Sequence, residues 1–344
     1  MSTAAYTIPT LRSEIPWRIN PHHTPELDAD ANRWAFDLLS DDPRVPVPLR
    51  ADNYTTWAAL CYPDVRPDVL TAWCRFNALY TVIENKQEAL FETSDAGTAE
   101  GVWRCVARYL LRLSHARDLV AIPVDEWGDG SVRHYLMTAR SIALTMPVGM
   151  GRYFLRRVAQ MAMAQYQEAD AIASPHMQLG EYLEYRHVNF GVPLFIAAIP
   201  SMLVRGLSAA EWESPERAAL DRLISHHCCL TNDLYSFRKE HEDRDGKRAP
   251  VQAVTVLSTQ HGLSIQGAVD RLAEVIEGTE RDYLTLRDAV AVSPEMREYC
   301  TRLEHILAGN LRYHQVSPRF HGAGFEGVFT GGEISVAGVP RALP

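Results

Sequence analysis

One segment constrains the fold more than any other. From Leu220 the chain reads Leu220, Leu223, Ile224, His227, Cys228, Leu230 and Thr231, apolar at helical spacing and almost without charge, and it then places Asn232, Ser236 and Glu240 at i, i+4 and i+8. On a helix those three share one stripe. Polar residues at that spacing are most often a solvated face, but the uncharged turns before Asn232 describe a mostly buried helix, where unpartnered oxygens are costly. An amide oxygen, a hydroxyl and a carboxylate in line make half a cage for a hard cation. Mg²⁺ takes oxygen ligands in octahedral array, keeps some of its waters and shares itself with substrate phosphates. Arg238 and Lys239 stand beside the stripe, where they could reach a diphosphate.

Upstream, residues 1–24 are rich in proline and polar groups and read as an extended arm. A periodic segment through Trp34, Phe36 and Leu39 is broken by Pro43, Pro46 and Pro48, and a long apolar run starts near Val69. Within it Ile83-Glu84-Asn85-Lys86-Gln87-Glu88 puts Glu84 and Glu88 at i, i+4, so two carboxylates share a face; a second metal-binding pair and a solvated face balanced by Lys86 both fit. Residues 93–101 read as a turn, with helices over 102–114 and 133–145. Pro147, Gly149 and Gly151 are expected to interrupt the next periodic segment. Met161, Met163 and Tyr166 have core spacing. In Tyr185-Arg186-His187-Val188-Asn189-Phe190-Gly191-Val192-Pro193 an arginine enters an apolar helix that breaks at Gly191 and Pro193. A buried guanidinium requires an anionic partner. Further periodic segments cover 249–261, 264–289 and 298–313, and residues 321–344, rich in glycine, read as a mobile tail.

Long helices joined by turns, without strand alternation or repeats, make one all-α domain over 25–320 the economical fold. At 344 residues the chain can enclose a sizeable apolar cavity. Its formal net charge of -9 disfavours a nucleic-acid partner. The six cysteines lack CxxC spacing and read as reduced core thiols. Without a leader-like start or a bilayer-length apolar run, a cytoplasmic protein with no membrane insertion is expected. GxSxG, GxxxxGK[ST] and HExxH are all missing.

The block Asn232-Asp233-Leu234-Tyr235-Ser236-Phe237-Arg238-Lys239-Glu240 resembles the NSE metal-binding motif of bacterial class I terpene synthases, with every ligand position present. The resemblance covers most of the chain, from the Asn20-Pro21-His22-His23 opening to Phe320. It implies a single-domain helical bundle around a central apolar cavity, and about three Mg²⁺ ions bound with a prenyl diphosphate. It also implies Asn232, Ser236 and Glu240 as metal ligands, and makes Glu84 and Glu88 the remnant of an aspartate-rich motif that usually reads Asp-Asp-x-x-Asp or Glu. At the helix break it implies Arg186 as diphosphate sensor, Asn189 as linker where Asp or Thr is more usual, and the Phe190 carbonyl as effector. Arg186 lies 46 residues before Asn232, much as in the family. For the Arg-Tyr pair that closes the site near the C-terminus, Arg312-Tyr313 matches by letters and Arg319-Phe320 by position. Arg319 is preferred, with Lys239 and Arg186 as its companions on the diphosphate.

Ionising an allylic diphosphate requires the departing charge to be stabilised. The cation must then be kept dry among aromatic faces. Members of the family that take the fifteen-carbon farnesyl diphosphate often place bulky aromatics just before the first motif, whereas this chain has Tyr80-Thr81-Val82-Ile83 with Asn77-Ala78 upstream, so the resemblance implies the twenty-carbon geranylgeranyl diphosphate first, with farnesyl diphosphate close behind. A prenyltransferase would need two complete Asp-rich motifs, and a non-catalytic helical binding protein would have no reason to keep the polar set; both remain as alternatives. Whether two chains pair as a homodimer is open.

Overall fold

A computed structural model describes residues 4–37, 53–92, 96–123, 130–166, 177–242, 251–322 and 324–336; for some of these, 81–92 and 96–100 among them, it describes the backbone only. The chain opens with a strand, β1 (Ala4–Ile8). Helices follow as α1 (Pro25–Asp37), α2 (Tyr54–Cys61), α3 (Pro67–Glu92), α4 (Ala96–Ser114), α5 (Gly130–Leu144), α6 (Val148–Tyr166) and α7 (Leu179–Asn189). After a break come α8 (Val192–Ile196), a 3₁₀ turn (Ile199–Met202), α9 (Ala209–Trp212), α10 (Pro215–Glu242), α11 (Ala253–His261), α12 (Ile265–Val290), α13 (Pro294–Val316), α14 (Pro318–His321) and the strand β2 (Gly332–Val336).

Local signals set these boundaries. The Ser264 hydroxyl accepts from the Gly267 amide at the start of α12, and the Ser293 hydroxyl accepts from Met296 at the start of α13, where Pro294 occupies the first turn. Helix α11 stops at Gly262, which has φ +63°. The long α10 has no glycine, and no proline after its first residue. It packs on α12, α13, α7, α11, α8, α14 and β2. Two apolar clusters flank it. One gathers Trp73 and Phe76 of α3 with Phe154 of α6 and Phe195 of α8; Trp73 lies 4.7 Å from Phe195 and 5.6 Å from Phe154 between ring centroids. The other packs Leu230, Leu234 and Phe237 of α10 against Tyr182, Val254, Leu272 and Phe320, and reaches Tyr6 and Ile334 of the two strands.

Three expectations from the sequence change. Residues 321–344, expected as a tail, include β2, which pairs antiparallel with β1, Ala4 opposite Val336 and Ile8 opposite Gly332. Tyr6, Ile8 and Ile334 turn their side chains into the second cluster, which gives this ribbon an apolar face to bury. Helix α4 starts at Ala96, before the expected turn has ended. Pro147 precedes α6 rather than breaking it, and Gly149 and Gly151 lie inside the helix. A Cβ on Gly151 would sit 2.4 Å from the Ala143 carbonyl oxygen, so the glycine is what lets α6 cross hard against α5. The arm itself is tied down. Asn20 donates to the Tyr62 and Val65 carbonyls at 2.9 Å each, while the Glu280 carboxylate accepts from the Ser13 hydroxyl at 3.0 Å and the Glu14 amide at 2.8 Å. Among the described residues, no helix is long and apolar enough to cross a membrane.

Burial of titratable groups predicts how stability depends on pH. Loss of hydration pushes His227 and His314 down to about 3, and His187 and His305 to about 4. Burial raises Asp221 and Asp233 to about 6 in spite of their arginine partners. As pH falls through the ordinary imidazole range, the unfolded chain binds protons that the four buried rings refuse, so stability falls. As pH falls through about 6, the two raised carboxyls of the folded chain take up protons before those of the unfolded chain, which offsets only part of that loss. The melting temperature is therefore expected to drop between about pH 7.5 and about pH 5. A calorimetric series that stays flat or rises toward acid would contradict these burials.

Candidate active site

The stripe does not face bulk solvent. Ser236 is 4% exposed, and Asn232 and Glu240 are half-buried. Each oxygen has a distinct setting. The Asn232 amide nitrogen lies 3.0 Å from Nε2 of His314, so its carbonyl oxygen is the end that can be offered to a cation. Glu240 accepts from the Gln252 amide at 2.7 Å through one carboxylate oxygen. The Ser236 hydroxyl is buried with no hydrogen-bond partner among the described residues. A buried hydroxyl left this way costs about 1–3 kcal/mol. Amide, hydroxyl and carboxylate oxygens form the hard donor set that suits Mg²⁺, and the orphaned hydroxyl is what a cation would satisfy, so these residues fit that ion.

The helix break stands next to the stripe. Helix α7 ends at Asn189, Phe190 comes next, and Gly191 at φ +86° reverses the chain into α8; the Met161 sulfur would lie 3.1 Å from any Cβ there. Arg186 is gripped on several sides. Its Nη2 is 3.5 Å from Oδ1 of Asp233, its Nη1 donates to Oδ1 of Asn189 at 3.3 Å, and its guanidinium carbon lies 4.9 Å over the Phe190 ring. Asn189 in turn donates to the Tyr185 hydroxyl at 2.8 Å, and its carbonyl accepts from Gln165 at 2.8 Å. The anionic partner that a buried arginine requires is thus Asp233, the second letter of the metal block. Asp233 is 2% exposed and also accepts from the Tyr182 hydroxyl and, at 2.9 Å, from the Ala253 amide. Burial pushes its carboxyl up to about 6, against the pull of Arg186.

At the C-terminal end, Arg312 and Arg319 have different surroundings. Arg312 lies 4.5 Å over the ring of Trp17 in the arm. Arg319 lies 5.0 Å over the Tyr54 ring, at the start of α2. Phe320 stacks on His314 at 4.4 Å and is 2% exposed, and its carbonyl accepts from Arg238 of the stripe helix at 3.0 Å. The turn that carries Arg319 is therefore docked on α10, while Tyr313 is buried against Tyr54 and Phe320. Arg238, one of the two cations expected to reach a diphosphate, spends a guanidinium nitrogen on that docking; Lys239 is half-buried. Glu84 and Glu88 fall on α3, but their side chains lie outside the described residues.

The structure thus brings Asn232, Ser236, Glu240, Arg186, Asn189 and Phe190 to adjoining parts of α10 and the α7–α8 break. Sequence reasoning passed over Asp233, Tyr182, Gln252 and His314. Of these only Asp233 carried a signal, since a buried arginine implies a nearby acid.

This mostly helical architecture is the fold of class I isoprenoid synthases. The crystal structure of germacradien-4-ol synthase from Streptomyces citricolor has that fold; it matches with a TM-score of 0.67 at 17% identity, over 89% of this chain and 98% of that one. Residues 112–282 match the family described as "Terpene synthase family 2, C-terminal metal binding". Microbial Terpene synthase-like protein 1 of Selaginella moellendorffii is 22% identical over 332 residues, 93% of each chain. Diterpene cyclase DtcycA of Streptomyces sp is 27% identical over 192 residues, so the match spans 54% of this chain and 52% of that one. The chain belongs to the terpene synthase family, whose members are lyases.

Proposed function

We propose that the chain is a class I terpene cyclase that ionises a linear prenyl diphosphate, geranylgeranyl diphosphate first, and lets the cation close to a cyclic diterpene. The observation that carries this is the buried Ser236 hydroxyl, without a hydrogen-bond partner among the described residues and set on one stripe with Asn232 and Glu240. Those three would hold Mg²⁺. When bound, Mg²⁺ draws the developing charge off the leaving diphosphate. Arg186, Lys239 and Arg319 would take diphosphate oxygens, and Arg186 is already oriented by Asp233 and Asn189, so little reorganisation is required at the moment of ionisation. The Phe190 carbonyl, at the break that Gly191 creates, would face the cation. Ring faces of the Trp73, Phe76 and Phe195 cluster would stabilise it in the absence of water.

Two features support the longer substrate. Asn77 and Ala78, both buried on α3, are small at positions where family members that take the shorter substrate often carry bulky aromatics. One relative bears the name of a diterpene cyclase. Incubation with each diphosphate and Mg²⁺, with analysis of the hydrocarbon extract, tests the assignment; products from farnesyl diphosphate alone would make the chain a sesquiterpene cyclase. In the same assay Glu84→Ala is expected to lower product formation by about a thousandfold, as loss of a metal contact worth several kcal/mol does. Full activity in that variant would leave Glu84 and Glu88 as a solvated face.

A further inference from the structure

We infer that His314 is a positioning residue for the metal ligand Asn232: its imidazole Nε2 accepts the Asn232 amide N–H and so turns the amide oxygen toward the cation. The inference rests on the assignment of the stripe to Mg²⁺ and adds a residue that lies outside the metal-binding block. An asparagine amide has two ends of nearly equal size, one a donor and one an acceptor, and only the acceptor can ligate. A neighbour must choose between them. His314 does so by geometry on both sides of its ring. Its Nδ1 lies 2.7 Å from the Asn310 carbonyl oxygen, a partner that can only accept, so Nδ1 carries the proton. Nε2 of the neutral ring is then a lone pair, and the atom 3.0 Å away is the Asn232 amide nitrogen. The ring plane is fixed as well. Phe320 stacks on it at 4.4 Å and 27°. Metal-binding asparagine, ring and stacking partner are contributed by α10, α13 and α14, so the turn that bears Arg319 also steadies the ring that orients a ligand. A partner of this kind, one step removed from a metal, typically changes metal affinity by about 10–100-fold.

Three variants separate the acceptor from mere packing. His314→Phe keeps a ring for Phe320 to stack on and removes the acceptor. His314→Leu removes it in a smaller side chain and serves the same comparison where the larger ring is not accommodated. His314→Gln places an amide oxygen near the position of Nε2. Free Mn²⁺ is measured by electron paramagnetic resonance while each folded protein is titrated with Mn²⁺ in the presence of inorganic diphosphate, with melting temperatures recorded alongside. The expected result is a loss of Mn²⁺ affinity of about 10–100-fold in His314→Phe or His314→Leu, and recovery to within about threefold of the parent in His314→Gln. Parent-like affinity in the acceptor-less variants, or a Gln variant as weak as they are, overturns the role given to His314. A parent protein that takes up no Mn²⁺ under these conditions overturns the assignment of the stripe itself, and the inference with it.

Discussion

Ser236→Ala is expected to lose about a thousandfold in product formation and yet, without metal, to melt at a higher temperature than the parent. The two effects share one origin. The hydroxyl is buried with no hydrogen-bond partner among the described residues, so it destabilises the metal-free fold by about 1–3 kcal/mol, which the alanine removes. A metal contact that stabilises the departing charge contributes several kcal/mol, and each 1.36 kcal/mol is a factor of ten in rate. A functional site held at the expense of stability has this signature. A serine that merely packs would show the same gain in melting point with unchanged turnover, so the loss of turnover is the part that assigns the metal role. Calorimetry of the metal-free proteins beside single-turnover assays with saturating Mg²⁺ distinguishes the two. Asn232→Ala and Glu240→Ala should match the loss of turnover without the gain in stability, because their side chains already have protein partners in His314 and Gln252.

The contrast between Ser236 and its partners also marks what the sequence could reveal. A stripe at i, i+4, i+8 is a property of one helix, so its three oxygen donors were legible as letters, and Arg186 was legible because a guanidinium just before the break at Gly191 and Pro193 asks for an acid. Their supports were not. Gln252, His314 and Tyr182 reach the stripe helix across 12, 82 and 51 positions of chain, and no local pattern sets those pairings. The ribbon of β1 and β2 was missed for the same reason: five residues of alternating character at one end of the chain acquire meaning only opposite five at the other. Gly149 and Gly151 misled in the other direction. The helix cost of a glycine, about 1 kcal/mol, is real, but at Gly151 the close crossing of α6 on α5 offsets it, and at Gly149, in the first turn of α6, the helix forms regardless.

Arg186→Met should abolish turnover and also produce a stability defect that grows with pH. The guanidinium is the cationic partner of Asp233, and removing one member of a buried pair costs about 3–5 kcal/mol because a charge is left uncompensated. The carboxyl can escape that cost by taking a proton. Burial already raises it to about 6 with Arg186 in place, and without the arginine it rises further. A carboxyl whose folded value lies above its unfolded one loses stability as pH climbs from the unfolded value through the folded one. The gap in melting temperature between parent and variant is therefore expected to be small near about pH 5 and wide near about pH 8. Asp233→Asn added to Arg186→Met should close the gap at the higher pH, since the neutral amide needs no cation, and it should restore no turnover, since the diphosphate still lacks the contact that Arg186 would make. A double variant as unstable as the single one would mean that Arg186 supports the fold through its contacts with Asn189 and Phe190 rather than through Asp233. Recovered turnover would remove Arg186 from the ionisation step altogether.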